Sequence, residues 1–197
     1  MNSTRGRNAT LAKHHPLRAR EPLTTTQIIE LDRALSTVFR MIWEMREQNP
    51  IAQHIKFPSL PSVFSETIVL AATPILFGPD WRCRFGGKEC DLILRNVNDG
   101  LTKRVEIKAT AQNAFQELKA KDLRADVLIW VRFGRRYEIG SGSIEVAVIE
   151  SPGKYISKPR RLDVNRLHKI PGIIESQRIL RFESIEQLLG CDANLPG

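Results

Sequence analysis

The chain has 197 residues and carries 30 Lys plus Arg against 22 Asp plus Glu, for a formal charge of +8 and a sequence pI near 9.8. At this length one domain is expected, and 42% hydrophobic residues can build a core that buries roughly 70% of the unfolded surface, with no need of disulfides or structural metal. The three cysteines, Cys83, Cys90 and Cys191, form no Cys-x-x-Cys pair, and no apolar run nears the roughly 18 residues of a membrane span, so the expectation is a soluble cytoplasmic protein without structural zinc.

Residues 1–23 hold Arg5, Arg7, Lys13, Arg18 and Arg20 against Glu21 alone and are broken by Pro16 and Pro22. They read as a flexible basic arm, an organelle transit peptide being the lesser alternative. A single domain is expected over 24–197. Ile28, Leu31, Leu35, Val38 or Phe39, Ile42 and Met45 recur at helical steps, and Thr24 to Thr26 offer N-caps, so the spacing predicts a long amphipathic helix over 24–47. A second helix is expected over 62–72, between Pro61 and Pro74.

From Arg82 the period changes to two. Strands are predicted over 82–85, 90–97, 101–110, 127–133 and 144–149, with a helix over 114–123 and a short one over 184–189. Val127 to Val131 is apolar without alternation, the pattern of a central strand covered on both faces. The fold class expected is therefore α/β, a central mixed β-sheet flanked by helices. Its catalytic core would span about 62–150. A basic segment follows at about 151–171, where Lys154, Lys158, Arg160, Arg161, Arg166 and Lys169 outnumber Asp163. Localised positive charge favours a polyanionic partner, nucleic acid first. A solvated basic surface is the plain alternative.

The hairpin over 90–110 is where the sequence turns chemical. If Asn98 and Asp99 form its loop, Asp91 lies opposite Glu106; if Asp99 and Gly100 form it, Asp91 lies opposite Lys108. Either register puts Asp91, Glu106 and Lys108 on one face and Cys90, Leu92, Leu94, Val105, Ile107 and Ala109 on the other. A three-residue loop would separate the charges. Two carboxylates and a lysine on adjacent strands suit a hard divalent cation such as Mg²⁺, which takes one or two protein carboxylates and keeps several waters. An ion pair on a solvent face is the alternative.

This chain resembles the PD-(D/E)xK nuclease superfamily, on Asp91 within Cys-Asp-Leu-Ile-Leu, on Val-Glu-Ile-Lys at 105–108, and on the order of elements over roughly 62–133. The resemblance implies a restriction-endonuclease-like sheet, with Asp91, Glu106 and the Ile107 carbonyl as ligands of Mg²⁺, for which Mn²⁺ can substitute. Lys108 would serve the attacking water, and Glu66 would be a further acidic residue from the preceding helix. It also implies hydrolysis of phosphodiester bonds to 5′-phosphate and 3′-hydroxyl ends. The family's Pro is Cys90 here; the literal Pro79-Asp80 lies in a loop-like Gly-Pro-Asp.

Glu-x-Lys alone carries little information, and Glu117 with Lys119 repeats it on the helix predicted over 114–123, where residues two apart diverge. Arg132, Arg135 and Arg136, together with Lys158, Arg160 and Arg161 beside Pro159, are the expected DNA contacts. His14, His15, His54 and His168 are scattered, and Trp43, Trp81 and Trp130 read as core. The combined expectation is a Mg²⁺-dependent type II restriction endonuclease, acting on double-stranded DNA as a homodimer through the 24–47 helix, with no small-molecule cofactor. A junction resolvase or repair nuclease and a non-catalytic DNA-binding protein are the alternatives.

Overall fold

A computed structural model describes residues 21–111, 115–140 and 142–191, with Glu138 described in its backbone only. The basic arm over 1–23 lies almost wholly outside these residues. Helix α1 spans Thr25–Gln48 and opens on the Thr24–Gln27 capping box: Gln27 N–H donates to Thr24 Oγ1 at 3.2 Å, and Thr24 N–H to Gln27 Oε1 at 2.9 Å. Helix α2 follows at Ser62–Ala71 and α3 at Thr73–Phe77. Pro74, expected to close the second helix, occupies the first turn of α3, where its missing N–H costs nothing.

The strands are β1 (Trp81–Phe85), β2 (Leu92–Asn96), β3 (Thr102–Thr110), β4 (Gln116–Leu118), β5 (Val127–Arg132), β6 (Ile144–Glu150), β7 (Arg160–Leu162) and β8 (Gln177–Phe182). Six of them form one mixed sheet in the order β1-β2-β3-β5-β6-β8, in which only β3 and β5 run parallel. β4 and β7 make a separate two-stranded ribbon. Between them lie α4 (Ala120–Leu123), α5 (Arg136–Ile139), α6 (Val164–Leu167), α7 (Ile173–Ser176) and, last, α8 (Ile185–Leu188).

The centre of the sheet is covered on both faces. Leu92, Leu94, Val105, Ile107, Ile129 and Val146 pack on α1 and α2 through Ile28, Phe39, Phe64 and Ile68. Leu128, Trp130, Ala147 and Ile149 pack on Leu118, Ile156, Leu162, Leu167 and Ile173 beneath the ribbon. The unbroken burial of Val127 to Val131 follows from lying between these two layers.

Several expectations need correction. Of the helix predicted over 114–123, Ala114 lies outside the described residues and the rest holds strand β4 and the single turn α4, because Gln116 to Leu118 pair with β7 and the Asp122 carboxylate takes the Lys119 N–H at 2.6 Å, restarting the chain as a helix at Ala120. Glu117 and Lys119 are therefore exposed on and beside the ribbon, with Glu117 opposite Arg161. Arg160 and Arg161, beside Pro159, stand on strand β7. Strand β8 was not expected at all. On α1 the buried face runs through Ile28, Asp32 and Phe39, while Val38 and Met45 are 44% and 47% exposed. Beyond Phe39 the helix is met by its own following segment, where Gln53 and Arg46 exchange bonds with main-chain oxygens and Arg46 covers Phe57.

Asp32 is the polar residue in that buried face. Its carboxylate accepts from Tyr137 Oη at 2.8 Å and from Arg136 at 3.1 Å, joining α1 to α5. Asp32→Asn keeps the shape but replaces one accepting oxygen with an NH2 donor and removes the charge from the other, so one bond is lost, the second is weakened, and urea unfolding should show a loss of about 2 kcal/mol. A variant as stable as the wild type would show that the pair contributes no net stability.

Candidate active site

The β2–β3 hairpin adopts the register in which paired residues place Asp91 opposite Glu106. Leu92 pairs with Val105, Arg95 with Thr102, and Asn96 N–H donates to Leu101 O at 2.9 Å. The turn is closed by Asn96 and Asp99 side chains capping Asn98 and Leu101 N–H at 2.8 Å each, and Gly100 takes a φ of 73° that most side chains resist. Before the hairpin, Gly86 N–H donates to Asp91 O at 2.8 Å, and a Cβ on Gly86 would lie 2.2 Å from Cys90 O. Gly86 thus lets β1 turn tightly against the residue that presents Asp91. Asp80 lies at the other end of β1, bonded through its carbonyl to Val97 N–H, so Pro79-Asp80 belongs to the turn end of the hairpin.

Asp91 and Glu106 converge on one ammonium. Lys121 Nζ lies 2.6 Å from Glu106 Oε2 and 3.4 Å from Asp91 Oδ1, while Asp91 Oδ2 accepts the Ile107 N–H at 2.8 Å. Ile107 therefore orients Asp91 through its amide. Glu106 is fully buried, and its second oxygen, Oε1, is buried without a hydrogen-bond partner. Burial, and then the nearby Asp91 charge, push its carboxyl up to about 7 against the pull of Lys121. Burial pulls the Lys121 ammonium down, but its bonds to Glu106 and Asp91 more than reverse this, leaving it raised.

Lys108, on the same strand face as Glu106, is engaged elsewhere. Its Nζ lies 2.9 and 3.0 Å from the two oxygens of Asp122, whose side chain is fully buried. Asp122 also caps α4, so the Lys108–Asp122 pair fixes the turn that carries Lys121. Lys121 and Asp122 were missed in the sequence. The available signal was an acid three residues after Lys119, the spacing of a helix start, which would have broken the longer predicted helix at Ala120.

Glu66 on α2 is buried and lines, with Asp91 and Lys121, a cavity of about 1120 Å³. On one side this cavity shares Lys88, Cys90 and Lys121 with a smaller one of about 480 Å³ that Arg104 and Arg124 also line. On the other it meets, at Ser62, a cavity reaching Lys108 and Phe115. Phe115 in turn lies under the guanidinium groups of Arg161 and Arg166, at 5.5 and 4.9 Å. The carboxylates thus lie in a cleft with basic residues at each end.

The other predicted contacts divide. Lys158, Arg160 and Arg161 are exposed, as is Arg135. Arg136 is held by Asp32 and also donates to Glu183 O at 3.2 Å, and Arg132 lies 3.9 Å from Glu145. Arg136 is thus tied to α1 and to the chain before α8, with its side chain 21% exposed. His168 pairs with Glu145 and Gln177. Trp130 is core, its Nε1 donating to Thr110 Oγ1 at 3.2 Å, whereas Trp43 and Trp81 are only half-buried.

Among the described residues no three His, Cys, Asp or Glu side chains cluster as a ligand set. Mg²⁺ needs only one or two carboxylates from the protein, and Asp91 and Glu106, which share the Lys121 ammonium while Glu106 Oε1 has no partner of its own, fit that demand. No helix among the described residues is long and apolar enough to cross a membrane. Compared with known proteins, the chain matches no family model, no curated protein and no solved structure.

Proposed function

We propose that this protein is a metal-dependent nuclease, and specifically a Mg²⁺-dependent endonuclease that cuts double-stranded DNA at a defined sequence, as type II restriction enzymes do. The observation that carries the reading is the convergence of Asp91, immediately before β2, and Glu106, on β3 of the same hairpin, on a single cation-sized position now held by Lys121. The six-stranded mixed sheet with α2 before the hairpin and the apolar β5 after it is compatible with a restriction-endonuclease-like fold.

Asp91, Glu106 and the Ile107 carbonyl would hold Mg²⁺, or Mn²⁺ in its place. Bound there, the ion would neutralise charge on the phosphoryl group and supply water at a lowered pKa. Asp91, oriented by the Ile107 N–H, and Glu106, rigid in its burial, keep their oxygens aimed at that position without reorganisation. In the reaction the water oxygen bonds to phosphorus and the P–O3′ bond breaks, its electron pair leaving on O3′. The proton lost by water passes to solvent, and O3′ takes one from solvent. Glu66 stands in the same cavity as an additional carboxylate beside the cleft. A two-fold dimer, paired through α1, would present one such site to each strand.

The test is incubation of purified protein with unmethylated phage DNA, with Mg²⁺ or with excess chelator, followed by gel electrophoresis and sequencing of the ends. Discrete Mg²⁺-dependent fragments with 5′-phosphates are expected. Cleavage of branched substrates alone would replace the restriction reading with a structure-specific one, and salt-sensitive binding without product would leave a DNA-binding protein.

Lys158, Arg160 and Arg161 contribute to binding through phosphates on this reading. Each Ala substitution should weaken binding about equally across DNA sequences and reduce the slope of log K against log salt by about 1. An unchanged slope in fluorescence anisotropy would remove these residues from the interface.

A further inference from the structure

Resting on the nuclease reading, we propose that Lys121, and not the motif residue Lys108, supplies the ammonium that acts on the phosphate undergoing hydrolysis. Two observations on this chain point there. The Lys108 side chain is 14% exposed and its ammonium is held by both oxygens of the buried Asp122, so releasing it would leave a carboxylate without its counter-ion in the interior. The Lys121 side chain is 41% exposed, touches both Glu106 and Asp91, and lines both the carboxylate cavity and the adjoining one formed with Lys88, Arg104 and Arg124.

That second cavity is basic. Among the described residues Glu89 is its only acidic lining residue, set against Lys88, Arg104, Lys121 and Arg124, and Arg104 is already braced by Asp126 and by Arg124 O. It has the chemistry to receive a phosphodiester of a nucleic-acid strand. Lys121 therefore stands between a place for a cation and a place for a phosphate. Without metal its ammonium occupies the position between the two carboxylates. When a divalent cation takes that position, the long, half-exposed side chain needs only to swing to the shared wall of the two cavities. There its charge opposes the negative charge that gathers on the phosphoryl oxygens as water attacks. No proton need leave Lys121 for this. Lys108 then becomes a positioning residue, acting through Asp122 on the turn that carries Lys121.

Lys121→Met separates the two assignments, with Lys121→Gln as a second variant should the first fold poorly. Two readouts are taken on each variant, on Lys108→Met and on the wild type: cleavage rate in saturating Mg²⁺, and the Mg²⁺ concentration giving half of the metal-induced rise in Tm without DNA. The ammonium and the cation compete for the same carboxylates, so removing Lys121 should lower that midpoint on the order of tenfold. It should also slow cleavage by about 10²–10³-fold, the scale of one lost transition-state donor. Lys108→Met should lower Tm and slow cleavage but leave the Mg²⁺ midpoint unchanged. The proposal is overturned by a Lys121 variant that cuts at the wild-type rate, by one whose Mg²⁺ midpoint does not move, or by a wild-type Tm indifferent to Mg²⁺. A wild type stabilised by Mg²⁺ that cuts no DNA sinks the nuclease reading itself, and the midpoint comparison still decides whether Lys121 and the cation exchange.

Discussion

Replacing Asp91 or Glu106 with Ala is expected to reduce Mg²⁺-dependent cleavage of DNA by at least about 10³-fold, since a metal's stabilisation of transition-state charge amounts to several kcal/mol and each 1.36 kcal/mol is a decade in rate. DNA binding in the absence of metal should change far less, because the exposed cations on and near β7 are untouched. The two substitutions should differ in stability. Asp91 lies on the cleft wall, its side chain 22% exposed, and its loss frees only the Ile107 N–H and weakens one contact of Lys121. Glu106 is fully buried with an unsatisfied oxygen, so its removal relieves a desolvated carboxyl and leaves a cavity at the same time. Cleavage assays combined with filter binding and thermal melts check all three statements. A variant of either residue with wild-type activity would remove the carboxylate pair from the chemistry.

The hairpin was legible because its information is local. Alternation fixes which residues share a face, and the Asn98-Asp99-Gly100 turn limits the registers to a few, of which the structure takes the one pairing Asp91 with Glu106. Val127 to Val131 was legible for a similar reason, since a strand buried on both faces cannot afford a polar residue. The lysine nearest the carboxylates was not. α4 is a single turn, too short to show any period, and its place beside Glu106 and Lys108 of β3 comes from the parallel β3–β5 crossover together with the buried Lys108–Asp122 bond. Neither is written in the neighbourhood of Lys121. Arg136 shows the same limit from the other side. In sequence it is one of three arginines at a strand end, and only the distant Asp32, brought close by α1, decides that it belongs to the fold. The ribbon of β4 and β7 was missed because three-residue strands carry too little alternation to compete with a helical reading.

Buried Glu106 makes the stability of the metal-free protein depend on pH in a direction opposite to that of ordinary salt-bridged carboxylates. Its carboxyl is raised from 4.5 to about 7 in the fold, burial being the main cause. Between those two values the folded chain holds a proton that the unfolded chain has released, so unfolding releases a proton and stability falls as pH rises. The contribution is fully present below pH 4.5, is lost progressively up to about pH 7, and is level above it. At 1.36 kcal/mol per pH unit the loss is about 3 kcal/mol. Glu106→Gln has no such proton to release. The difference in unfolding free energy between variant and wild type, measured by urea titration in chelator from pH 4 to 9, should therefore grow in favour of the variant by about 3 kcal/mol and stop growing above pH 7. Taking the difference cancels the titration of the other carboxylates, which are common to both chains. Adding Mg²⁺ at pH 8 should stabilise the wild type and not the variant, because a divalent cation repays the charge that Glu106 carries there, whereas an amide has none to offer. A difference flat across the whole range would show that Glu106 is ionised at its ordinary pKa, stabilised by Lys121 rather than penalised by burial. The cleft would then hold a permanent ion pair instead of a carboxylate poised for a cation.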